Sequence, residues 1–425
     1  MTRKQERRRR TARWASIVLI AFALAAAAWM LVPAGGPIVA VLLLAGALVL
    51  AHAGMIAPRG VAVLTYHSVS LDPSWLPWSK EISVHPATFE RHLATLAAMG
   101  CAVIGTRDYV DRRRSGAALP PEAVLLHFDD GYLDNWLHAV PRLQRHGFAA
   151  TFFASLDFIE PGDTPREAGG DESGYMSWAE LDAIERMPLL EVEPHGVDHG
   201  RVPVSDRIVG RLTEANWRSL AWVQWAATPG PKHDWFRMAL PVAVPIGAPV
   251  PESGLALAVP KWSGGVRESQ AGLERRIEAD LERCRMDFQA RLGREPEIFC
   301  WPENVVGAEG RRIAAALGYR ATTGGRGRNV AGEPAEIISR IHIGDRALGF
   351  RWLAAEALHL RAAVRLAQGN HYWYLLIAPM NATRALVMRA RGLGAFRTSR
   401  HKPSLLVGFE KHCCKADAAR GHRRT

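Results

Sequence analysis

Two short stretches of this 425-residue chain carry side chains suited to breaking bonds. The first is Asp129-Asp130-Gly131, which ends an apolar run over residues 123–128. Side chains alternate along a strand, so two adjacent carboxylates at its end point different ways. One can bind a cation while the other faces a substrate, and Gly131 suits the sharp turn that follows. The second stretch is Glu193-Pro194-His195-Gly196-Val197-Asp198-His199, after a strand-like run over residues 189–192. Two imidazoles at i and i+4, flanked by acids, Pro and Gly, form a metal-ligand pattern. Neutral ring nitrogens bind Zn²⁺ and a carboxylate completes the protein set. Alone, Asp-Gly is a turn signal and a histidine is a structural residue; both motifs at strand ends point to a metal-assisted site.

An alternating chain must position these groups. Apolar runs at 61–66, 102–104, 123–128, 150–154, 189–192, 298–301 and 337–341 read as strands. Helical patterns lie between them: one opens at Pro86 and stops at Gly100, and others cover 134–146, 177–187, 270–293 and 308–318. Such alternation predicts parallel strands with crossover helices, an α/β sheet or barrel whose chemistry gathers at the C-terminal strand ends.

The net charge of +11 sits mostly at the tips: residues 1–13 carry +6, residues 411–425 carry +4, and +1 remains for the body. A nearly neutral body argues against a nucleic-acid partner. Residues 14–32 hold no charge, and His52 is the only ionisable group in 37–56. Each run can cross ~30 Å of hydrocarbon, and Pro33-Ala34-Gly35-Gly36 reads as the turn of a transmembrane hairpin. The expectation is a bacterial-type inner-membrane protein. Residues 1–13 form a basic cytoplasmic tip, 14–56 two spans, and the body returns to the cytoplasm. A single anchor would place the body outside instead. Ala51-His52-Ala53 fits a cleavage site, but the apolar region is more than twice the ~7–15 residues of a signal core. Five cysteines without repeated spacing give no disulfide framework.

Three ordered motifs carry a resemblance: His127-Phe128-Asp129-Asp130-Gly131-Tyr132, Pro194-His195-Gly196-Val197-Asp198-His199, and Phe299-Cys300-Trp301-Pro302. With Leu64-Thr65-Tyr66-His67-Ser68 and Ala150-Thr151-Phe152-Phe153, they resemble the polysaccharide deacetylase (NodB-homology) family over roughly residues 60–345. The resemblance implies a distorted (β/α) barrel and metal-dependent removal of an N-acetyl group from an amino sugar. It implies Asp129 as general base, and Asp130, His195 and His199 as ligands of a divalent metal, zinc in our reading. Trp301, Pro302 and Tyr132 are then expected to contact substrate. A late histidine is expected as general acid, for which His342 is the candidate, while His67 can lie near the pocket. Glu303 and Asn304 replace the aromatic and glycine usual after Trp-Pro, and Pro194 and Gly196 replace the Ser and Thr usual around the first metal histidine.

The catalytic domain is expected over 60–348, with an insertion at 200–268. Its tryptophans (Trp217, Trp222, Trp225, Trp235, Trp262) read mainly as buried anchors. Residues 349–425 are expected to be a helical extension with a basic tail. Two functions compete. One is a membrane-anchored deacetylase acting on an N-acetylated glycan or lipid-linked sugar. The other is a non-catalytic glycan-binding or assembly protein on the same fold.

Overall fold

The computed structural model of the protein describes residues 3–32 and 35–391. Pro33 and Ala34 of the expected turn, the basic tail, Cys413 and Cys414 lie outside the described residues. Two antiparallel helices come first, α1 (Arg3–Leu31) and α2 (Gly36–Met55). Arg10 Nη1 donates to Gly54 O at 3.0 Å and fixes their pairing. The basic tip is the opening of α1 itself, supported by an Arg10–Glu6 pair one turn apart. Leu19, Phe22, Leu42 and Leu50 on this hairpin are exposed. Both helices are long and apolar enough to cross a membrane.

The body then alternates β1 (Ala62–Tyr66), α3 (Pro86–Ala98), α4 (Thr106–Ser115), β2 (Val124–Phe128), α5 (Val140–His146) and β3 (Ala150–Ala154). It continues with α6 (Trp178–Glu185), β4 (Leu190–Pro194), α7 (Gln270–Leu292), β5 (Ile298–Phe299), α8 (Ala308–Ala316), β6 (Ala321–Gly325), β7 (Ile337–Ser339) and β8 (Ile341–His342). Helices α9 (Leu353–Ala367) and α10 (Tyr374–Ala390) close the described chain. The strands register as two parallel sheets, β8-β1-β2-β3-β4 and β5-β6-β7.

The two sheets meet twice. On one side Cys300 N–H donates to Pro194 O at 3.0 Å, and Glu193 Oε2 accepts the N–H groups of Glu297 and Ile298 at 3.0 and 3.1 Å. On the other side Arg340 alone separates β7 from β8. Strand alternation sorts the core into two layers. Leu64, Tyr66, Leu126, Phe128, Phe152 and Val192 face the helices, packing with Leu93, Leu143, Leu181, Leu281 and Leu360. Val63, Leu125 and Phe153 instead meet Ile298, Cys300 and Ile338 of the other sheet.

A buried carboxyl ties down the loop after β1. Asp134 accepts from Ser68 Oγ at 2.6 Å and from Val69 N–H at 2.9 Å. Burial pushes this carboxyl up to about 7, against the pull of those two donors. The native state therefore holds a proton that the unfolded chain releases near its ordinary carboxylate range, so this group makes stability fall as pH rises from ~4 to ~7. Asp134→Asn is expected to flatten the thermal midpoint across that window relative to the parent. An unchanged slope would show that the titration lies elsewhere.

Candidate metal and catalytic site

Strand β2 delivers two carboxylates with different fates. Asp130 has left-handed backbone (φ 73°), followed by Gly131 at φ 76°. A Cβ at Gly131 would stand 3.1 Å from that of Ala154, so glycine is required where β2 turns out. A non-glycine residue in this region costs ~1–3 kcal/mol and persists only where its surroundings over-determine it. The turn sends Asp130 toward the end of β4 and leaves Asp129 buried behind it.

His195 follows β4, with its backbone N–H bonded to Ala154 O at 2.8 Å. Its Nδ1 lies 2.8 Å from Cys300 O. A carbonyl only accepts, so the hydrogen-bond network assigns the proton to Nδ1 and leaves the Nε2 lone pair free. That Nε2 points to Asp130 Oδ1 at 3.3 Å, and His199 Nε2 reaches the same oxygen region at 3.9 Å. Ligand atoms of Asp130, His195 and His199 all lie within 4.8 Å of one another. A carboxylate and two imidazoles, one with its tautomer fixed by a backbone carbonyl, are a donor set that fits a divalent cation.

The loop carrying these histidines is tied from below. Val197 N–H donates to Asp280 on α7 at 3.2 Å, and Lys232 Nζ lies 2.8 Å from Asp157 and 3.8 Å from Asp198. Lys232 belongs to the 200–268 stretch, which is thereby locked to the histidine loop. Its Trp217 and Trp235 are buried, and Trp222, Trp225 and Trp262 are half-buried.

Asp129 stands apart from the triad. Its Oδ1 accepts from Arg340 Nη1 at 2.6 Å, with both side chains buried. Its Oδ2 lies 3.9 Å from His67 Nε2. Burial alone would raise this carboxyl, but Arg340, His195 and His67 outweigh it and hold it at about 2. Asp129, His195 and Cys300 also cluster within 4.8 Å. There Asp129 is already held by Arg340 and the His195 Nδ1 by Cys300 O.

The matched family model is that of polysaccharide deacetylases, over residues 116–237, a stretch holding Asp129, Asp130, His195 and His199. Residues 116–237 are thus similar to polysaccharide deacetylases. A poly-β-1,6-N-acetyl-D-glucosamine N-deacetylase of Escherichia coli is 23% identical over 141 residues, covering 32% of this chain and 20% of that protein. A Bacillus subtilis protein described as a polysaccharide deacetylase is 31% identical over 144 residues, covering 33% and 44%. The chain thus spans less than half the length of these curated relatives. A solved de-N-acetylase from Aggregatibacter actinomycetemcomitans superposes with a TM-score of 0.46 at 19% identity, covering 66% of this chain and 94% of that one.

The remaining expected site residues lie at different depths. His342 is exposed at the end of β8, where its Nε2–H donates to Glu81 O at 2.9 Å and its ring stands edge-on to His67 at 5.2 Å. Tyr132 is buried, stacked on Tyr175 at 5.4 Å, with its hydroxyl accepting from Trp78 Nε1–H at 3.5 Å. Trp301 and Pro302 are buried, Trp301 packing against Phe299 at 4.6 Å. Glu193 closes the seam between the sheets through Arg107 and the backbone of β5.

Sequence reasoning missed Arg340, whose signal was a lone cation inside the apolar run 337–341. Removing one partner of a buried ion pair typically costs ~3–5 kcal/mol, because the other charge stays behind. Arg340→Met is therefore expected to lower stability by about that much and to reduce turnover with little change in metal content. A variant as stable and active as the parent would show the pair to be dispensable.

Proposed function

We propose that this chain is a membrane-anchored, metal-dependent deacetylase that hydrolyses the N-acetyl group of an amino sugar in a polysaccharide or lipid-linked glycan. The observation that carries it is the convergence of Asp130, His195 and His199 beside a separately held carboxylate, Asp129. The shared inner layer and the two seams support reading the sheets as one distorted (β/α) barrel.

Asp130, His195 Nε2 and His199 Nε2 would hold the cation, zinc by preference. When bound, it supplies Lewis acidity toward the acetyl carbonyl. Arg340 keeps Asp129 ionised and fixes its Oδ1, which leaves Oδ2 to take a proton from the attacking water. Water oxygen adds to the acetyl carbon, the C–N bond breaks, and the amine leaves with a proton, giving acetate and a free amino sugar. His67 is the imidazole that faces Asp129, and His342 packs on its ring; this pair is our assignment for the proton donor. The relative named for poly-β-1,6-N-acetyl-D-glucosamine makes that polymer the first substrate to try.

Exposed aliphatic residues along both helices of the hairpin support the anchor, since a water-soluble protein rarely leaves so large an apolar face uncovered. The Arg-rich opening of α1 lies at the same end as the body, which supports a cytoplasmic domain. The test combines metal analysis of the purified protein with acetate release from N-acetylglucosamine oligomers. Metal-loaded protein without acetate release would favour the glycan-binding alternative. An active alkaline phosphatase fusion after residue 60 would reverse the orientation.

A further inference from the structure

Asp130 and His199 arrive on two loops whose parent strands, β2 and β4, are separated by β3. One short segment of the 200–268 stretch touches both loops. Lys232 is buried, with its Nζ 2.8 Å from Asp157 Oδ2, 2.8 Å from Gly230 O and 3.8 Å from Asp198 Oδ2. Its backbone N–H also donates to Asp157 O at 2.6 Å. Asp157 in turn donates its N–H to Val197 O at 2.8 Å, and Asp198 immediately precedes His199. The ammonium thus grips the histidine loop at two points. Three residues on, Trp235 Nε1–H donates to Tyr175 OH at 3.0 Å, and the indole stacks on Trp78 at 5.6 Å. Tyr175 pairs with the backbone that follows Asp130: Met176 N–H bonds Gly131 O at 2.8 Å, and Leu133 N–H bonds Gly174 O at 3.0 Å. Trp235 N–H closes the segment on Lys232 O at 3.2 Å.

Burying an ammonium is costly, and the aromatic cluster of Trp75, Trp225, Trp235 and Phe236 already anchors the stretch by apolar contact. What the lysine adds is direction. Asp157, Asp198 and Asp280 place three carboxylates behind the histidine loop, against Lys232 and Arg283. A Cβ at Gly200 would stand 2.5 Å from Asp198 Oδ1, so the carboxylate facing Lys232 folds over the turn that carries His199. His199 itself has left-handed backbone (φ 50°), a conformation that persists only where its surroundings impose it. A metal site needs its ligands held to within ~0.5 Å by the groups around them, and here one segment spans the loops of two of those ligands.

We propose that Lys232 and Trp235 are positioning residues that set the metal affinity of the site, by holding the His199 loop and the Asp130 loop at a fixed spacing. The 200–268 stretch then works as a brace across the metal centre. The inference rests on Asp130, His195 and His199 being the ligands.

The test titrates Zn²⁺ into the metal-free full chain in detergent micelles, against a competing chromophoric chelator. Cys413→Ser with Cys414→Ser is the common background, so that these two thiols take no zinc. Lys232→Met should raise the zinc dissociation constant about tenfold or more, the scale of lost contacts around metal ligands. Trp235→Phe, which keeps an aromatic ring but loses the donor to Tyr175, should raise it severalfold and stands in if Lys232→Met fails to fold. Lys261→Gln removes the same charge from an exposed position of the same stretch and should leave the constant unchanged. A lowered thermal midpoint with a parent-like dissociation constant would reduce the segment to a structural anchor and overturn the proposal, as would an equal loss in Lys261→Gln. A background chain that takes up no zinc would overturn the metal reading as well; a zinc-binding one whose variants bind equally overturns this inference alone.

Discussion

Alanine in place of His195 is expected to strip the protein of stoichiometric metal and reduce acetate release to background, with the fold retained. The argument begins with the ring's two attachments. Nδ1 is held by Cys300 O at 2.8 Å and Nε2 faces Asp130 at 3.3 Å, so this imidazole is aimed from both sides. Its removal leaves one histidine and one carboxylate, too few protein ligands for a catalytic zinc site, which takes three. The core does not depend on that metal. The layers around Phe128 and Phe152 and around Val63 and Phe153 are assembled from apolar contacts. Inductively coupled plasma analysis and circular dichroism on the same sample check the prediction. Full metal occupancy in His195→Ala would remove it from the ligand set.

The second large effect separates binding from chemistry. Asp129→Asn should keep the metal yet lose ~10²- to 10⁴-fold in turnover, the usual worth of a positioned general base. Asparagine is nearly isosteric and can still accept from Arg340, so packing survives while the capacity to take a proton does not. The variant leaves the Arg340 charge buried without its counter-ion, so a stability loss is expected as well. Steady-state rates should fall in kcat with KM little changed. A near-normal rate with metal bound would place the base elsewhere. Glu193 is poorly placed to serve, since its oxygens are taken by Arg107 and by the backbone of residues 297–298.

The convergence of Asp130, His195 and His199 was legible because they are bunched at two strand ends, where local sequence alone announces them. Arg340 was not, because the partner that gives it meaning is 211 residues away and its neighbours read as an ordinary strand. Strand β6 (Ala-Thr-Thr-Gly-Gly) carries almost no apolar signal; all five residues are buried because β5 and β7 flank it. Helix α4 escaped for the opposite reason. It presents only Thr106, Tyr109 and Val110 to the core and is otherwise rich in Arg and Asp, so its apolar stripe is too narrow to recognise. Residues 102–104 read as a strand but contribute an isolated bridge, Val103 to Val124. The 134–146 pattern is helical, entered through a wider turn over Asn135–Ala139 before α5. Most of the expected strands instead keep their places within a residue or two, since buried parallel strands announce themselves as short apolar runs.

The direction of β1 sets a height. The chain leaves the hairpin at residue 56, enters β1 at Ala62 and climbs to Tyr66, level with Phe128 and Phe152 of its parallel neighbours. At ~3.3 Å per residue Asp129 and Asp130 stand ~16–20 Å along the strand from the start of β2. With the hairpin in a bilayer, as proposed, the strand starts would lie nearest the headgroups and Asp129 and Asp130 would stand off from the surface like a cutter on a fixed post. A sugar joined directly to its lipid would pass beneath the blade. Residues farther along a growing chain would meet it, so under the proposed function a minimum length is expected of any lipid-linked substrate.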